Sequence, residues 1–324
     1  MWVKYRFSCK KINPKKMKVL ITGGAGYIGT ELTRLLDQNP SVSEIIIFDN
    51  LSRNNYNIFL HSGIKRGKVR FIKGEMLDSR VLKQIVQSVD VIYHLAARVS
   101  TPLSNESSHL FEQVNHWGTA ELVYATEESN VKRFIYLSSA SIYGAQNDEI
   151  DINTIPDPKS FYGISKYRGE KHVERLMPKM DTYIVRSSNV YGYGISMRFD
   201  AVINHFMFDA TFTNRISIHG NGMQRRSFIH IEKAANILAN LVDNNIESGT
   251  YNLVDKVMTI MEVAGNIKDL YPKLEMIFIN QHIQMRELLV KQDDRLMKLL
   301  TAPDLSFEDE LKIFMEKFHN SSAM

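Results

Sequence analysis

Cysteine is nearly absent from this chain, with one residue, Cys9, in 324. A single thiol excludes any internal disulfide, and a chain of this size without one suits a reducing compartment, read here as the cytoplasm. No apolar run approaches the roughly 20 residues that a membrane-crossing helix needs, so no membrane association is expected. There is no internal repeat and no low-complexity tract, which argues against solenoid and linker-rich architectures. An excess of basic charge is also lacking once the first residues are set aside. The net charge is +4, but Lys4, Arg6, Lys10, Lys11, Lys15, Lys16 and Lys18 stand together with no acid among them, and without those seven the balance is −3. The body of the protein is therefore not basic, and nucleic acid is not expected as a partner. The leading stretch lacks the apolar centre of a secretory signal and has few arginines and hydroxyl residues. Residues 1–16 read as a basic, disordered arm, with Met17 as a candidate start just before the first strand.

What is present begins with an apolar content of 44%, ordinary for a folded globular protein. The most informative stretch is Lys18-Val19-Leu20-Ile21-Thr22-Gly23-Gly24-Ala25-Gly26-Tyr27-Ile28-Gly29. An apolar strand runs into closely spaced glycines and then into the amphipathic segment Thr30 to Asp37. Phosphate recognition needs N–H donors that come close with no side chain in the way, and a helix N-terminus adds a favourable field. Gly23 serves the tight turn, Gly26 the close approach and Gly29 the packing of helix on strand. About 20 residues on, the run Glu44-Ile45-Ile46-Ile47-Phe48 ends at Asp49, where a dinucleotide fold places the carboxylate that holds the adenosine ribose. A carboxylate there repels a 2'-phosphate, so NAD is favoured over NADP, with Arg53 as the one nearby cation that could argue otherwise.

The rest of the chain alternates strand and helix. Further apolar runs lie at Val69 to Ile72, Val89 to Leu95, Arg133 to Ser139 and Thr182 to Arg186, with helical spacing over Ser79 to Val86, Ser107 to Ser129 and Phe161 to Leu176. That alternation predicts an α/β fold with a doubly wound parallel sheet over residues 17–186. After Arg186 the segments shorten, marking a smaller substrate-binding region over 187–227 and 256–324. The strand Thr250 to Leu253, within 228–255, is expected to rejoin the main sheet. Residues from Thr259 onward read as helical pieces, ending in an amphipathic helix from Phe307 to Phe318. Trp117 reads as core or interface packing.

Tyr162 and Lys166 stand one helical turn apart on one face. A phenol with its ordinary pKa near 10 is a poor base at neutral pH, and a fixed cation beside it favours the phenolate. Ser139, at the carboxyl end of a strand, can hydrogen-bond the same substrate hydroxyl, since open parallel sheets bind ligands at those ends. His94, His116, His219 and His230 lack metal-ligand spacing, so no metal site is expected.

These motifs, with Asp49-Asn50-Leu51, His94-Leu95-Ala96-Ala97, Asn115-His116-Trp117-Gly118-Thr119 and Leu137-Ser138-Ser139-Ala140-Ser141-Ile142-Tyr143-Gly144, resemble the extended short-chain dehydrogenase/reductases, in particular the NAD-dependent nucleotide-sugar epimerase/dehydratase family. The resemblance runs from about Met17 to Phe318. It implies a Rossmann-type fold, bound NAD, a nucleotide-diphosphate sugar as substrate and a homodimer paired through the helices of 107–129 and 161–176. It further implies that the cofactor meets Gly23, Gly26, Tyr27, Ile28, Gly29, Asp49, Asn50, Glu75, Met76, Leu95, Ala96, Ala97, Asn115, Tyr162 and Lys166. For the substrate it points to Ser139, to Asn189 in Arg186-Ser187-Ser188-Asn189-Val190-Tyr191-Gly192, to Arg226 after Gly220-Asn221-Gly222, and to Arg286. Arginine suits a diphosphate because its planar fork gives paired charged hydrogen bonds.

Departures from the family separate its branches. Its dehydratases carry an acidic pair straight after the hydroxyl residue, where this chain has Ala140 and Ser141. Its decarboxylases keep a glutamate at the place of Ser141. Its reductive 3,5-epimerases use a second cysteine-based acid/base, and Cys9 lies outside the fold. What remains is the set a 4-epimerase needs: Ser139, Tyr162 and Lys166. Glu75 and Ser227 both stand where the family commonly has aspartate. A reductase with net redox turnover, or a non-catalytic dinucleotide-binding scaffold, are the alternative readings.

Overall fold

The computed structural model describes residues 16–60, 63–64, 67–99, 108–144, 146, 149–280 and 287–321. Residues 1–15, expected to form the basic arm, and Arg286 lie outside them. The chain starts its fold at β1 (Met17–Thr22), followed by α1 (Tyr27–Gln38), β2 (Val42–Asp49), β3 (Val69–Lys73), α2 (Ser79–Val86) and β4 (Val91–His94). A helical run then changes pitch twice, as α3 (Ser108–Phe111), a π-helical stretch (Glu112–Trp117) and α4 (Gly118–Glu127). Next come β5 (Arg133–Ser139), α5 (Phe161–Val173) and β6 (Asp181–Ser187).

β1 shows why these residues choose a sheet. Val19 and Ile21 join one buried cluster with Leu32 and Leu36 of α1. Leu20, between them, joins another with Leu82 and Ile85 of α2 and Leu122 of α4. Alternate side chains of a strand point to opposite faces, so one strand feeds two cores. Each buried aliphatic side chain is worth about 1.5–3 kcal/mol relative to exposure. With both faces covered by helices, the strands read as unbroken apolar runs, as parallel sheets require.

The expected sheet is present, in the order β10-β6-β5-β4-β1-β2-β3, with every neighbouring pair parallel. The second half of the chain supplies β7 (Asn189–Tyr191), α6 (Val202–Phe212), β8 (Arg215–His219), β9 (Arg225–His230), α7 (Ile231–Asn240) and β10 (Gly249–Leu253). β10 pairs with β6, from Gly249 opposite Tyr183 to Leu253 opposite Ser187, which returns the chain to the main sheet. β11 (Lys256–Thr259), α8 (Ile260–Leu270), β12 (Glu275–Ile279), α9 (Asp294–Met297) and α10 (Phe307–Ser321) complete it.

Two small sheets, β11-β9-β7 and β12-β8, lie apart from the large one. β12 corrects the expectation of helical pieces alone after Thr259. A five-residue apolar run carries no decisive period, and its parallel pairing with β8, Met276 opposite Ile216 and Phe278 opposite Ile218, decides its form. A third core of Ile203, Phe206, Ile216, Phe228, Val263, Leu311 and Phe314 holds this region together. Of the two readings of Trp117, core or interface packing, its 53% exposure removes the first.

Candidate active site

The glycine turn stands at the carboxyl end of β1, in the middle of the sheet. Gly23 has φ +71°, and a Cβ there would come within 2.6 Å of Ala96 N, in the loop after β4. Gly29 packs α1 on the turn so closely that a Cβ would lie 2.5 Å from Gly23 O and 2.6 Å from Gly24 Cα. Gly24 has a like constraint: a Cβ would meet Ile47 Cγ2 at 2.7 Å. α1 begins at Gly26, which has no side chain to cap its first N–H groups. That combination is a cradle for an anion at a helix N-terminus.

Asp49, at the end of β2, braces this cradle. One carboxylate oxygen accepts from Ala25 N at 3.1 Å and the other from Leu51 N at 2.8 Å. Burial raises its pKa and these backbone hydrogen bonds oppose the rise. Asn50 Nδ2 donates to Glu75 Oε2 at 3.0 Å, which joins the ends of β2 and β3 at the edge of the cleft. Met76 is buried, and Gly118 packs against its Cβ. Arg53 is engaged elsewhere: its Nη2 lies 3.6 Å from Asp200 Oδ2.

The loop Leu95-Ala96-Ala97 after β4 is held from two sides. Leu95 N donates to Thr22 O at 3.0 Å. Asn115, fully buried, accepts from Arg98 N at 2.7 Å through Oδ1 and donates to Arg98 O at 2.9 Å and Ser165 Oγ at 3.0 Å through Nδ2. It ties the loop to α5 from within the π-helical stretch, in which it is the one buried residue. His94 beneath it is a packing residue. Thr119 Oγ1 donates to Asn115 O at 2.6 Å, so it accepts from His94 Nε2–H at 2.9 Å, leaving Nδ1 to accept from Thr22 Oγ1 at 2.7 Å. Burial drives the His94 pKa well down, and the ring stays neutral.

α5 carries Tyr162 and Lys166. Ser160 caps it by accepting from Gly163 N at 3.0 Å, which sets Tyr162 in the first turn and Lys166 one turn on. Tyr162 is partly buried and its hydroxyl lies within interacting range of Ser139, so the structure brings together the two hydroxyls that the sequence separates. Burial raises the Tyr162 pKa, against the Ser139 hydroxyl and the field of Arg198. Ser139 Oγ also accepts from Ser141 N at 3.2 Å, which fixes its rotamer at the strand end. Lys166 is almost wholly buried; its Nζ sits 4.1 Å above the Tyr136 ring centroid, and burial lowers its pKa to about 7 against the pull of Glu170. Behind it Glu170 holds Arg186 through two bonds of 3.1 and 2.8 Å.

Asn189 and Arg226 are brought close by the small sheet. Asn189 Nδ2 donates to Ser227 O at 3.1 Å, next to Arg226, and Asn189 pairs with Phe228. Ser227 is buried and bonded to the segment at 288–290, donating to Leu288 O at 3.1 Å and accepting from Val290 N at 2.8 Å. The residue that sequence reasoning missed is Arg198. Nothing in its neighbourhood, Ser196-Met197-Arg198-Phe199-Asp200, marks it as part of a site. Among the described residues no group of His, Cys, Asp or Glu is arranged to hold a metal ion, and no helix is long and apolar enough to cross a membrane.

This geometry agrees with what the chain is similar to. A model of the NAD dependent epimerase/dehydratase family matches residues 19–253, from β1 to the end of β10. The chain belongs to that family. It is 27% identical over 323 residues to a dTDP-D-glucose 4,6-dehydratase of Mus musculus, covering 94% of this chain and 90% of that one. It is 29% identical over 257 residues to a putative UDP-glucose 4-epimerase of Methanocaldococcus jannaschii, covering 77% and 81%. Its fold matches the UDP-glucuronic acid 4-epimerase of Bacillus cereus, solved with UDP-glucuronic acid and NAD, with a TM-score of 0.81 at 22% identity over 94% of this chain and all of that one. The residues fit the cofactor: the turn at Gly23, Gly26 and Gly29 leaves backbone N–H groups open at a helix N-terminus, as a diphosphate would need, and Asp49 closes the next strand beside it. This protein is an NAD-dependent enzyme of the epimerase/dehydratase type.

Proposed function

We propose that this enzyme is a nucleotide-sugar 4-epimerase working through a transient keto-sugar. The observation that carries the reading is Ser139 set beside Tyr162 and followed in the chain by Ala140 and Ser141 rather than by acids. Expelling water from a sugar requires a proton donor for the leaving hydroxyl, and the positions where the family's dehydratases keep theirs carry none here.

In this reading Tyr162 accepts the proton of the sugar's 4-hydroxyl. Ser139 donates to the same oxygen, holding it as charge develops. Bound NAD supplies a hydride acceptor that later returns the hydride, so the reaction has no net redox change. Lys166 holds its place beneath, on the Tyr136 ring, ready to bond the cofactor's ribose. Asn189 and Arg226 take the substrate diphosphate, and the regions 187–227 and 256–324 form its walls. Gly23, Gly26, Tyr27, Ile28, Gly29, Asp49, Asn50, Glu75, Met76, Leu95, Ala96, Ala97 and Asn115 line the cofactor's path. The Asp49 carboxylate, which would repel a 2'-phosphate, favours NAD over NADP.

A homodimer belongs to the same proposal. Trp117, Tyr124 and Phe161 are 53%, 38% and 51% exposed, on the helices that the resemblance assigns to pairing. Large exposed aromatics suit an isologous interface.

The dehydratase reading is favoured by the similarity to the mouse 4,6-dehydratase. One experiment separates the two. Purified protein is incubated with a panel of UDP-, GDP- and dTDP-sugars, and the products are resolved by chromatography and mass spectrometry. An epimerase returns a product of unchanged mass, and a dehydratase one lighter by a water. Steady loss of NADH absorbance with turnover would instead identify a net reductase.

A further inference from the structure

The segment between β7 and α6, Gly192 to Ala201, takes up no proton or hydride in the reaction just outlined, yet it is bonded to both walls of the dinucleotide cleft. On one side Gly192 O accepts from the Tyr27 hydroxyl, and Ser196 Oγ accepts from Thr30 Oγ1 at 3.1 Å. Tyr27 and Thr30 belong to the start of α1, beside the glycine turn. Asn204 fixes the same segment from below, accepting from Gly192 N at 2.9 Å and donating to Arg198 O at 3.0 Å. On the other side Ile195 O accepts from Asn57 Nδ2 at 2.8 Å, and the Asp200 carboxylate faces Arg53 at 3.6 Å. Asn57 and Arg53 belong to the loop after Asp49.

The strand order gives this double attachment its meaning. β6 and β2 lie on opposite sides of β1. A segment that departs beside β6 and is tied to the loop after β2 must cross the carboxyl end of β1, in front of the glycine turn. Its two attachments also differ in strength. Ser196 and Asn204 are buried, and their hydrogen bonds are sheltered from water. Arg53 is 45% exposed and Asn57 is exposed, so the contacts on that side compete with solvent and are readily broken. Arg198, held by Asp200 through bonds of 3.0 and 2.7 Å, sends its field to the hydroxyls of both Tyr27 and Tyr162. The segment thus spans from the loop after Asp49 to the start of α1.

We propose that Gly192 to Ala201 is a strap across the dinucleotide, hinged at Tyr27, Thr30 and Asn204 and latched at Asn57 and Arg53, which retains the cofactor between the two hydride transfers. The proposal rests on the dinucleotide site and on hydride return, and not on which sugar is used. A gate slows entry and exit of a ligand alike, whereas a direct contact slows exit alone, and that difference is the test.

Stopped-flow fluorescence of bound NADH measures association and dissociation for the parent, Asn57→Ala and Asn57→Ala/Arg53→Ala, with thermal unfolding as the check on folding. Loss of one hydrogen bond and one weak ion pair is expected to raise both rates about tenfold in the double variant, and about threefold in Asn57→Ala alone, with little change in their ratio. Unchanged rates in a folded variant would overturn the strap, as would a rise in dissociation alone. Should the double variant not fold, Asn57→Ala decides by the same criterion. A parent protein that binds no NADH would remove the cofactor site and the strap together.

Discussion

The ammonium nitrogen of Lys166 lies 4.1 Å from the centre of the Tyr136 ring, on the face of a fully buried phenol. The ring face offers a cation partial compensation, but burial dominates and takes the Lys166 pKa to about 7. The folded chain therefore binds fewer protons than the unfolded one between about pH 7 and the ordinary lysine value of 10.5. Stability contributed by this group rises with pH through that window, and below it the penalty of a buried charge is fully present. Lys166→Met should be more stable than the parent at pH 7 and lose that rise up to pH 9.5, as followed by urea unfolding. Parallel pH profiles for the two proteins would refute the assignment.

Removing the Tyr162 hydroxyl takes away the proposed proton acceptor and nothing the cofactor cradle depends on. Tyr162→Phe is expected to lower kcat by about 10²–10⁴-fold while NAD binding persists. A variant retaining a tenth or more of the parent rate would exclude Tyr162 as the base. Calorimetric titration with NAD supplies the second reading.

Arg198 bears on that same phenol from a distance. Its field favours the phenolate, as does the hydroxyl of Ser139, so each pulls the Tyr162 pKa down against burial. Losing either raises it. In Arg198→Met and Ser139→Ala the acid limb of the kcat/KM profile should move to higher pH, with Ser139→Ala also losing rate. A limb that stays in place in both would show that another group titrates there.

The turn at β1 should not admit a methyl group. In Gly29→Ala the new Cβ would sit 2.5 Å from Gly23 O, and backbone rather than a flexible side chain would have to move. A cost of about 1–3 kcal/mol in stability is expected, with NAD affinity falling as the cradle widens. Gly249→Ala is the control, since its nearest neighbour would be Tyr251 at 3.9 Å. Equal melting temperatures for the two variants would contradict the packing described.

Trp117 lies stacked on His116, 4.5 Å between ring centres, on an open face. Trp117→Asp would place a charge at the centre of the proposed dimer interface. Light scattering should then report a monomer for the variant and twice that mass for the parent. A monomeric parent ends the dimer proposal.

The parallel sheet, the glycine turn and the Tyr162/Lys166 face were legible in the amino-acid order because each rests on local chemistry. Period-2 and period-3.6 patterns, positions that only glycine can occupy and residues one helical turn apart are all properties of short stretches. Thr250 to Leu253 could be read as a strand for the same reason. What the linear order could not supply is which distant groups meet. Ser139 against Tyr162, Arg53 drawn to Asp200, Asn115 joining the loop at Arg98 to Ser165, and Arg198 acting on the phenol all depend on loops that only packing sets. Burial likewise belongs to the folded chain alone. It turns Lys166 from an ordinary surface cation into an amine near neutrality, because the cost of a charge depends on what surrounds it in space.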